Sequence, residues 1–240
     1  MHSHSEDWAD MFMRQQHASG IIKDIADSID GHQLLISELS RHVPHGVIAE
    51  MGAGRGYVSL YFASLPNNYR VDAIDVDQRA SDALRSLASA INIPLHITTT
   101  NFIDQKNLGS YDAIFNSGVM EHFALPKAME IIGLWAQHTS LMFLSVPYQS
   151  TWSNLSQVHG DEYFYGLSEW RRAFADAESL GVHLRDIIAY NHSWPLYRKI
   201  RKYILRPGLK RIIDNILRPI DEWCGNEALF IIESTMRHKK

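Results

Sequence analysis

Strand-like and helix-like segments alternate along most of this 240-residue chain. The strand-like segments are short and apolar throughout, and the segments between them carry apolar residues at three- and four-residue spacings. This alternation predicts a doubly wound α/β fold, in which helices cover both faces of a mostly parallel sheet. The predicted strands are 47–51, 70–76, 95–100, 111–116, 140–146, 182–190 and 228–235, and the predicted helices are 57–65, 80–91, 125–137 and 168–180.

Two further segments flank or interrupt this pattern. Residues 6–42 have the apolar spacing of helices and predict an N-terminal helical extension. A stretch rich in Arg and Lys predicts a helical insertion before the last strand. We therefore predict a single domain over 1–240, made of an N-terminal cap 1–44, a Rossmann-like core 45–190 and 226–240, and a basic insertion 191–225.

The composition of the chain limits the kinds of partner it can bind and the cellular compartment in which we expect it. A formal net charge of −4 gives no global sign of nucleic-acid binding, so we do not expect a nucleic-acid partner. The lone cysteine, Cys224, excludes an internal disulfide and favours a reducing compartment. No signal-peptide pattern opens the sequence and no apolar run is long enough to span a bilayer, so the predicted location is cytoplasmic. The thirteen histidines form no tight cluster with metal-ligand spacing, so we expect no metal.

A glycine-rich turn follows the first predicted strand. The segment Glu50-Met51-Gly52-Ala53-Gly54-Arg55-Gly56 leads from that strand into a helix. Glycine lets a backbone turn tightly and approach a ligand, and a helix N-terminus offers free N–H groups. Asp75 ends the second strand about 20 residues later, where an acid can accept both hydroxyls of an adenosine ribose. The alternative for Asp75 is to cap the next helix, a role for which Asp77 is better placed.

Two other nucleotide-binding turns differ from this one. Nicotinamide dehydrogenases use Gly-x-Gly-x-x-Gly, whereas the glycines here stand at 52, 54 and 56. The carboxylate of Glu50 would also repel a pyrophosphate, and it suits a cationic ligand instead. No Gly-Lys-Ser/Thr follows the glycines, which excludes a Walker phosphate loop.

These motifs resemble those of the class I S-adenosylmethionine-dependent methyltransferases. The segment from Glu50 to Gly56 resembles motif I, and Asp75 resembles the ribose-binding acid of motif II. Residues 111–123 resemble motif IV in the form of the small-molecule and ubiquinone-type branch. The resemblance covers about residues 45–190 plus the terminal strand. It implies a seven-stranded sheet whose last strand is antiparallel, S-adenosylmethionine as cofactor and S-adenosylhomocysteine as product.

The resemblance also implies which residues bind the cofactor. Asn101 departs from the acid that the family often has there, but an amide can still hydrogen-bond an adenine. The cofactor-binding candidates are Glu50, Gly52, Gly54, Gly56, Asp75, Val76, Asn101, Phe102 and Ser117.

Two histidines are candidates for a catalytic base, which is needed only if the acceptor atom carries a proton. His122 follows the fourth strand, and His159 lies in a loop rich in aromatic residues. The alternative for His122 is a packing or hydrogen-bonding role at the start of a helix. The alternative for the loop around His159 is an ordinary aromatic surface cluster.

The predicted reaction is methyl transfer to O, N or C of a small-molecule acceptor. An RNA or protein methyltransferase and a non-catalytic binding module are the alternatives. No Asn-Pro-Pro-Tyr motif follows strand four, where the sequence is Asn116-Ser117-Gly118-Val119, and this argues against methylation of a base amino group.

The flanking segments have several interpretations. The N-terminal extension is either a lid over the ligands or an extra helix packed on the sheet. The insertion is a solvated cover, a homodimer contact, or a platform for an anionic substrate, a membrane surface or RNA, and we favour the first two. The candidates for lining a lid are Trp8, Met11, Phe12, Gln15, Gln16 and His17.

Overall fold

Seven strands form one sheet in the order β3-β2-β1-β4-β5-β7-β6. Neighbouring strands are parallel except around β7, which runs antiparallel to both β5 and β6. This computed structural model describes residues 18–66, 69–103, 108–151, 153, 155, 161–192 and 210–236. The strands are β1 Gly46–Met51, β2 Tyr69–Asp75, β3 His96–Thr99, β4 Ala113–Ser117, β5 Leu141–Pro147, β6 Val182–His192 and β7 Gly225–Ser234.

Helices lie between the strands, as the alternation predicts. The predicted helix over 168–180 is shorter in the structure, because it ends at Asp176 and a 3-10 turn, Glu178–Leu180, follows. The helices are α1 Ala18–Gly31, α2 Gln33–His42, α3 Tyr57–Ser64, α4 Gln78–Ala90, α5 Leu125–Trp135, α6 Leu167–Asp176 and α7 Lys210–Cys224. The predicted fold class, a doubly wound sheet with an antiparallel last strand, is confirmed.

The core lies on both faces of the sheet, because side chains alternate along each strand. On one face, Trp135, Trp170 and Phe230 belong to a cluster built largely from α5, α6 and the inner strands. On the other face, Leu35 and Leu39 of α2 are buried in a second cluster. The second N-terminal helix is therefore part of the fold's core.

The insertion is bounded differently from the prediction of 191–225. Asn191 and His192 extend β6, and His192 pairs with Gly225, the first residue of β7. Within the insertion, Arg218 of α7 pairs with the carboxylates of Asp186 and Glu222. The division of the chain into cap, core and insertion stays a prediction. None of the described helices is both long enough and apolar enough to cross a bilayer.

The carboxyl ends of β1, β2 and β4 meet at one edge of the sheet. Register places Met51 beside Ile74, and Glu50 beside Phe115. The strand order reverses here, because β2 lies on one side of β1 and β4 on the other. Open α/β sheets bind ligands in the crevice at such a reversal.

The central position of Phe230 in β7 gives a test of the fold. Its buried ring lies against Trp170 and Phe174, at centroid distances of 5.1 and 5.8 Å. Phe230→Ala leaves a cavity there, so we expect the free energy of unfolding to fall by about 3–5 kcal/mol in urea denaturation. The control is Ile91→Ala at a 41% exposed site, where we expect a change of no more than about 0.5 kcal/mol. Equal losses in the two variants would contradict this packing.

Candidate functional site: a cavity at the reversal of the sheet

The turn after β1 is fixed by hydrogen bonds to β2 and by backbone that only glycine tolerates well. The N–H groups of Gly52 and Ala53 both donate to the carbonyl of Ile74, over 2.8 and 3.0 Å. Gly52 has φ +70°, and a Cβ there would lie 2.4 Å from Cγ2 of Val119. A larger residue would therefore be strained and would collide with the chain after β4.

Asp75 holds this turn and the next loop together. Its Oδ2 accepts a hydrogen bond from the N–H of Gly54 over 2.6 Å, and its Oδ1 accepts one from the N–H of Asp77 over 2.8 Å. Burial raises the pKa of Asp75, although these two N–H groups act in the opposite direction. The cap of α4 is made by Asp77, whose side chain accepts from the N–H of Arg79. Each carboxylate oxygen of Asp75 has a second lone pair for a ligand.

Glu50 is a buried carboxyl beneath the turn, only 6% exposed. Its Oε2 accepts hydrogen bonds from the hydroxyl and the N–H of Ser59, over 2.5 and 3.2 Å. Burial nevertheless raises the pKa of Glu50 to about 7, and the nearby charge of Asp75 adds to the shift. A cation bound close by would favour the ionised form and lower that pKa.

These elements enclose a cavity of about 660 Å³. Its wall brings together most of the residues that the sequence singles out as cofactor-binding or catalytic, and it also includes His32 and Asp161. The predicted site residues that line it are Glu50, Gly52, Gly54, Gly56, Asp75, Val76, Phe102, Ser117 and His122.

The predicted adenine-contacting pair is divided. Phe102 is buried and lines the cavity, and its carbonyl accepts a hydrogen bond from Nε1 of Trp135 over 3.1 Å. Asn101 is exposed and is not among the lining residues; its side-chain oxygen accepts from the N–H of Ile103 over 3.1 Å.

Of the two predicted catalytic histidines, the structure describes only His122. His122 lies in a 3-10 turn, Met120–His122, directly after β4, and its Nδ1 is 3.0 Å from Oδ1 of Asp161. A proton on Nδ1 donated to that carboxylate fixes the orientation of the imidazole. His159 and the candidate lid residues Trp8, Met11, Phe12, Gln15, Gln16 and His17 lie outside the described residues. Within the described part of the chain, no group of three or more potential metal-ligating side chains is present.

His32 is a site residue that the sequence does not reveal. It stands at the junction of α1 and α2, where the Asp30-Gly31 pair is the only sequence signal. Its Nδ1 lies 2.6 Å from the carbonyl oxygen of Ser28 and must donate to it. In the neutral ring, Nε2 then accepts from the hydroxyl of Ser117, which is 3.0 Å away.

Comparison with known proteins gives a family match for part of the chain and structural matches for nearly all of it. Residues 24–118 match the family model described as the methyltransferase small domain. No curated protein matches the chain in sequence.

Three solved structures illustrate the structural likeness. Magnesium protoporphyrin IX methyltransferase from Synechocystis PCC 6803, with bound S-adenosylhomocysteine, is 13% identical, with 97% of this chain and 95% of that chain covered and a TM-score of 0.62. A protein from Galdieria sulphuraria, provisionally assigned as a sarcosine dimethylglycine methyltransferase, is 13% identical, with coverage of 98% and 100% and a TM-score of 0.62. The cyclase SpnF is 9% identical, with coverage of 85% and 80% and a TM-score of 0.60.

The family match spans the glycine turn, Asp75 and the end of β4, which form most of the cavity wall; His122 and Asp161 lie beyond it. The structural matches extend the same topology over the remaining strands. Residues 24–118 therefore match part of a methyltransferase domain, and the chain as a whole has the class I, Rossmann-like fold of the S-adenosylmethionine-dependent methyltransferases.

Proposed function

We propose that this methyltransferase binds S-adenosylmethionine in the cavity at the sheet reversal and transfers its methyl group to a small-molecule acceptor. One observation carries the proposal. A buried carboxyl, Glu50, and a second acid at the end of β2, Asp75, line the same glycine-walled cavity. That combination suits a nucleoside that carries a positive charge, and it opposes a pyrophosphate.

Asp75 is proposed to bind the ribose. Its two oxygens are already held in place by the N–H groups of Gly54 and Asp77, so they need no rearrangement to accept the two hydroxyls. Val76 and Phe102, which line the same cavity, supply apolar surface for the adenine. Contact of Asn101 with the adenine stays a prediction, since its amide oxygen is engaged by the N–H of Ile103.

Glu50 is proposed to attract the positive charge of the cofactor. The bound cofactor supplies an electrophilic methyl group on a sulfonium. The chain's part is to orient that group and to exclude water, and displacement of this kind gains most from positioning. Ser117, the last residue of β4, lies on the cavity wall shortly before the turn that carries His122.

His122 is proposed to accept a proton from the acceptor. Its imidazole lines the cavity and is oriented through the contact of Nδ1 with Asp161. This arrangement of a histidine with a supporting carboxylate is well suited to general-base catalysis. His159 stays a prediction from the sequence.

Two observations favour a small molecule over RNA or protein as the acceptor. Of the compared structures, one is named as a porphyrin methyltransferase and another is assigned to sarcosine and dimethylglycine. Arg218 in the basic insertion is engaged by the carboxylates of Asp186 and Glu222, which reduces its use as a contact for phosphates. Homodimer formation through the insertion and a cytoplasmic location stay predictions.

Replacement of Asp75 tests the cofactor assignment. Asp75→Asn removes the negative acceptor for the ribose hydroxyls, and a hydrogen bond to a charged group contributes about 1.5–3 kcal/mol. In calorimetric titration we expect the dissociation constant for S-adenosylhomocysteine to rise about ten- to a hundred-fold. The control is Asp82→Asn, at an exposed carboxylate on α4, where we expect unchanged affinity. Tighter binding of NAD than of S-adenosylhomocysteine by the unchanged protein would overturn the proposal.

Proton release on binding tests the role of Glu50. At a pH of about 7 this carboxyl is about half protonated in the free protein, and a nearby sulfonium lowers its pKa. We therefore expect S-adenosylmethionine to release up to roughly half a proton more than the uncharged thioether product, as measured by calorimetry in buffers of different ionisation enthalpy. Glu50→Gln should abolish the difference. Equal release by both ligands, or a difference that persists in Glu50→Gln, would refute the role.

Replacement of His122 tests the proposed base. Transfer of a labelled methyl group from S-adenosylmethionine into a cellular small-molecule extract can be followed without knowing the acceptor. We expect His122→Gln to lower this transfer by a factor of about 100 to 10,000 while affinity for S-adenosylhomocysteine stays the same. The matched control is His96→Gln, which replaces a histidine that also contacts an aspartate, Asp72, over 3.1 Å. Full transfer by His122→Gln would exclude it from the mechanism.

A further inference from the structure

A second cavity of about 580 Å³ adjoins the proposed cofactor cavity. His32, Ser117 and Gly118 line both cavities, so the two cavities are direct neighbours. This second cavity reaches to the ends of β5, β6 and β7, on the far side of β4 from the glycine turn. A molecule bound there would lie next to the cofactor cavity, at the residues that the two cavities share.

The lining of the second cavity is acidic. Asp30, Glu121 and Glu227 come from three separate parts of the chain and all face the same space. No Lys or Arg is among the described residues that line it. Three carboxylates around one space produce a negative potential that favours a cation.

Of these three carboxyl groups, Glu121 is the one that is buried and has an oxygen free to bind a ligand. The residue is 7% exposed, and its Oε2 has no hydrogen-bond partner within the part of the chain that the structure describes. An unpaired buried carboxylate is costly, and a bound cation or hydrogen-bond donor removes much of that cost. By contrast, Asp30 accepts from Gln33 and Glu227 accepts from Asn191.

The remaining walls suit an organic cation better than a hydrated metal ion. Leu34, Pro147 and Tyr190 bring apolar and aromatic surface to the cavity. The hydroxyl of Tyr190 is hydrogen-bonded to that of Ser145, and burial raises the pKa of Tyr190 well above its ordinary value, so the phenol stays neutral. Aromatic rings also attract organic cations.

We propose that this second cavity binds the methyl acceptor through a compact cationic group, a protonated or quaternary ammonium, with Glu121 as the paired carboxylate. The inference rests on the proposed function and adds that the acceptor carries a positive charge. Neutral and anionic molecules of the same size would leave Glu121 without compensation and would bind more weakly. The proposal assigns Glu121 to binding and orientation of the acceptor.

Acidity of Glu121 gives the expected pH dependence. Burial raises its pKa to about 7, so the carboxylate form, which pairs with a cation, is fully present only above that pH. Affinity for an amine should therefore increase as pH rises through about 7, up to the pKa of the amine itself near 10. The titratable groups around Glu121 and its cavity are His122 on the same turn, Asp30 and His32 at the α1–α2 junction, Glu162 before α6, Tyr190 on β6 and Glu227 on β7.

Three probes with one skeleton and different charges test the proposal: benzylamine, benzyl alcohol and benzoate. Each is titrated into the full chain saturated with S-adenosylhomocysteine, at pH values of about 6 and about 8. At the higher pH we expect benzylamine to bind at least about ten-fold more tightly than the other two, and this preference should shrink at the lower pH. Binding of the alcohol or benzoate as tightly as the amine, or no measurable binding of the amine, would overturn the proposal.

Substitutions in the second cavity test which residue causes the preference for the amine. Glu121→Gln keeps the shape and should reduce the amine affinity at least about ten-fold without changing affinity for S-adenosylhomocysteine. The matched control is Glu130→Gln, at an exposed carboxylate on α5, which should leave both affinities unchanged. Glu227→Gln, in the same cavity, serves as a second variant should Glu121→Gln fail to fold. An amine preference that survives both cavity substitutions would overturn the proposal.

The same titrations separate this inference from the function on which it rests. Failure of the unchanged protein to bind S-adenosylhomocysteine would refute the cofactor assignment. Normal binding of S-adenosylhomocysteine without any preference for the amine would refute only the cationic acceptor.

Discussion

The hydrogen bond from the N–H of Gly54 to the carboxylate of Asp75 is the contact on which the site depends. It joins the turn after β1 to the end of β2, and Asp75 also accepts from the N–H of Asp77, the N-cap of α4. The left-handed backbone of Gly52 and Gly54 is what brings that N–H into position. The register between β1 and β2 fixes where these two strands end relative to each other. The geometry of the cavity therefore depends on how the strands pair in the core.

Two buried carboxyls make this edge of the sheet unfavourable for stability and suited to binding. Burial raises the pKa of both Glu50 and Glu121 from the ordinary 4.5 to about 7. A raised carboxyl pKa means that the folded state holds its proton longer than the unfolded state, so the free energy of unfolding falls as pH rises from about 4.5 through about 7. Glu50 and Glu121 therefore lower the stability of the folded protein near neutral pH, but their carboxylates are available to bind charged ligands.

The sequence predicts most of the fold because most strands are marked by an apolar run and the helices by three- and four-residue apolar spacing; β3, His96–Thr99, is an exception among the strands. The sequence predicts the ends of the elements less well: the apolar spacing of 6–42 continues on both sides of His32, although the backbone there divides into α1 and α2. The sequence also predicts the end of β6 two residues early, at Tyr190, because Asn191 and His192 are polar; His192 is held in the strand by pairing with Gly225 of β7. Local pattern carries no information about such pairing.

The site residues likewise fall into those that a local sequence pattern predicts and those that only the folded structure brings together. The glycine turn and Asp75 form a local motif that predicts where a ligand binds, and these residues do line one cavity. His32, Asp161 and Glu227 reach the cavities through tertiary contacts between segments far apart in sequence. No spacing rule brings them together, and only the folded chain reveals them.

The contact between His32 and Ser117 has a consequence for how a ligand in one cavity affects binding in the other. One imidazole belongs to the walls of both cavities, and its tautomer is set by the carbonyl of Ser28. A ligand that takes the Ser117 hydroxyl from one side therefore changes the hydrogen-bonding groups offered on the other side. By thermodynamic linkage the second ligand must act on the first to the same degree, so this single pair of side chains makes the two binding equilibria reciprocal.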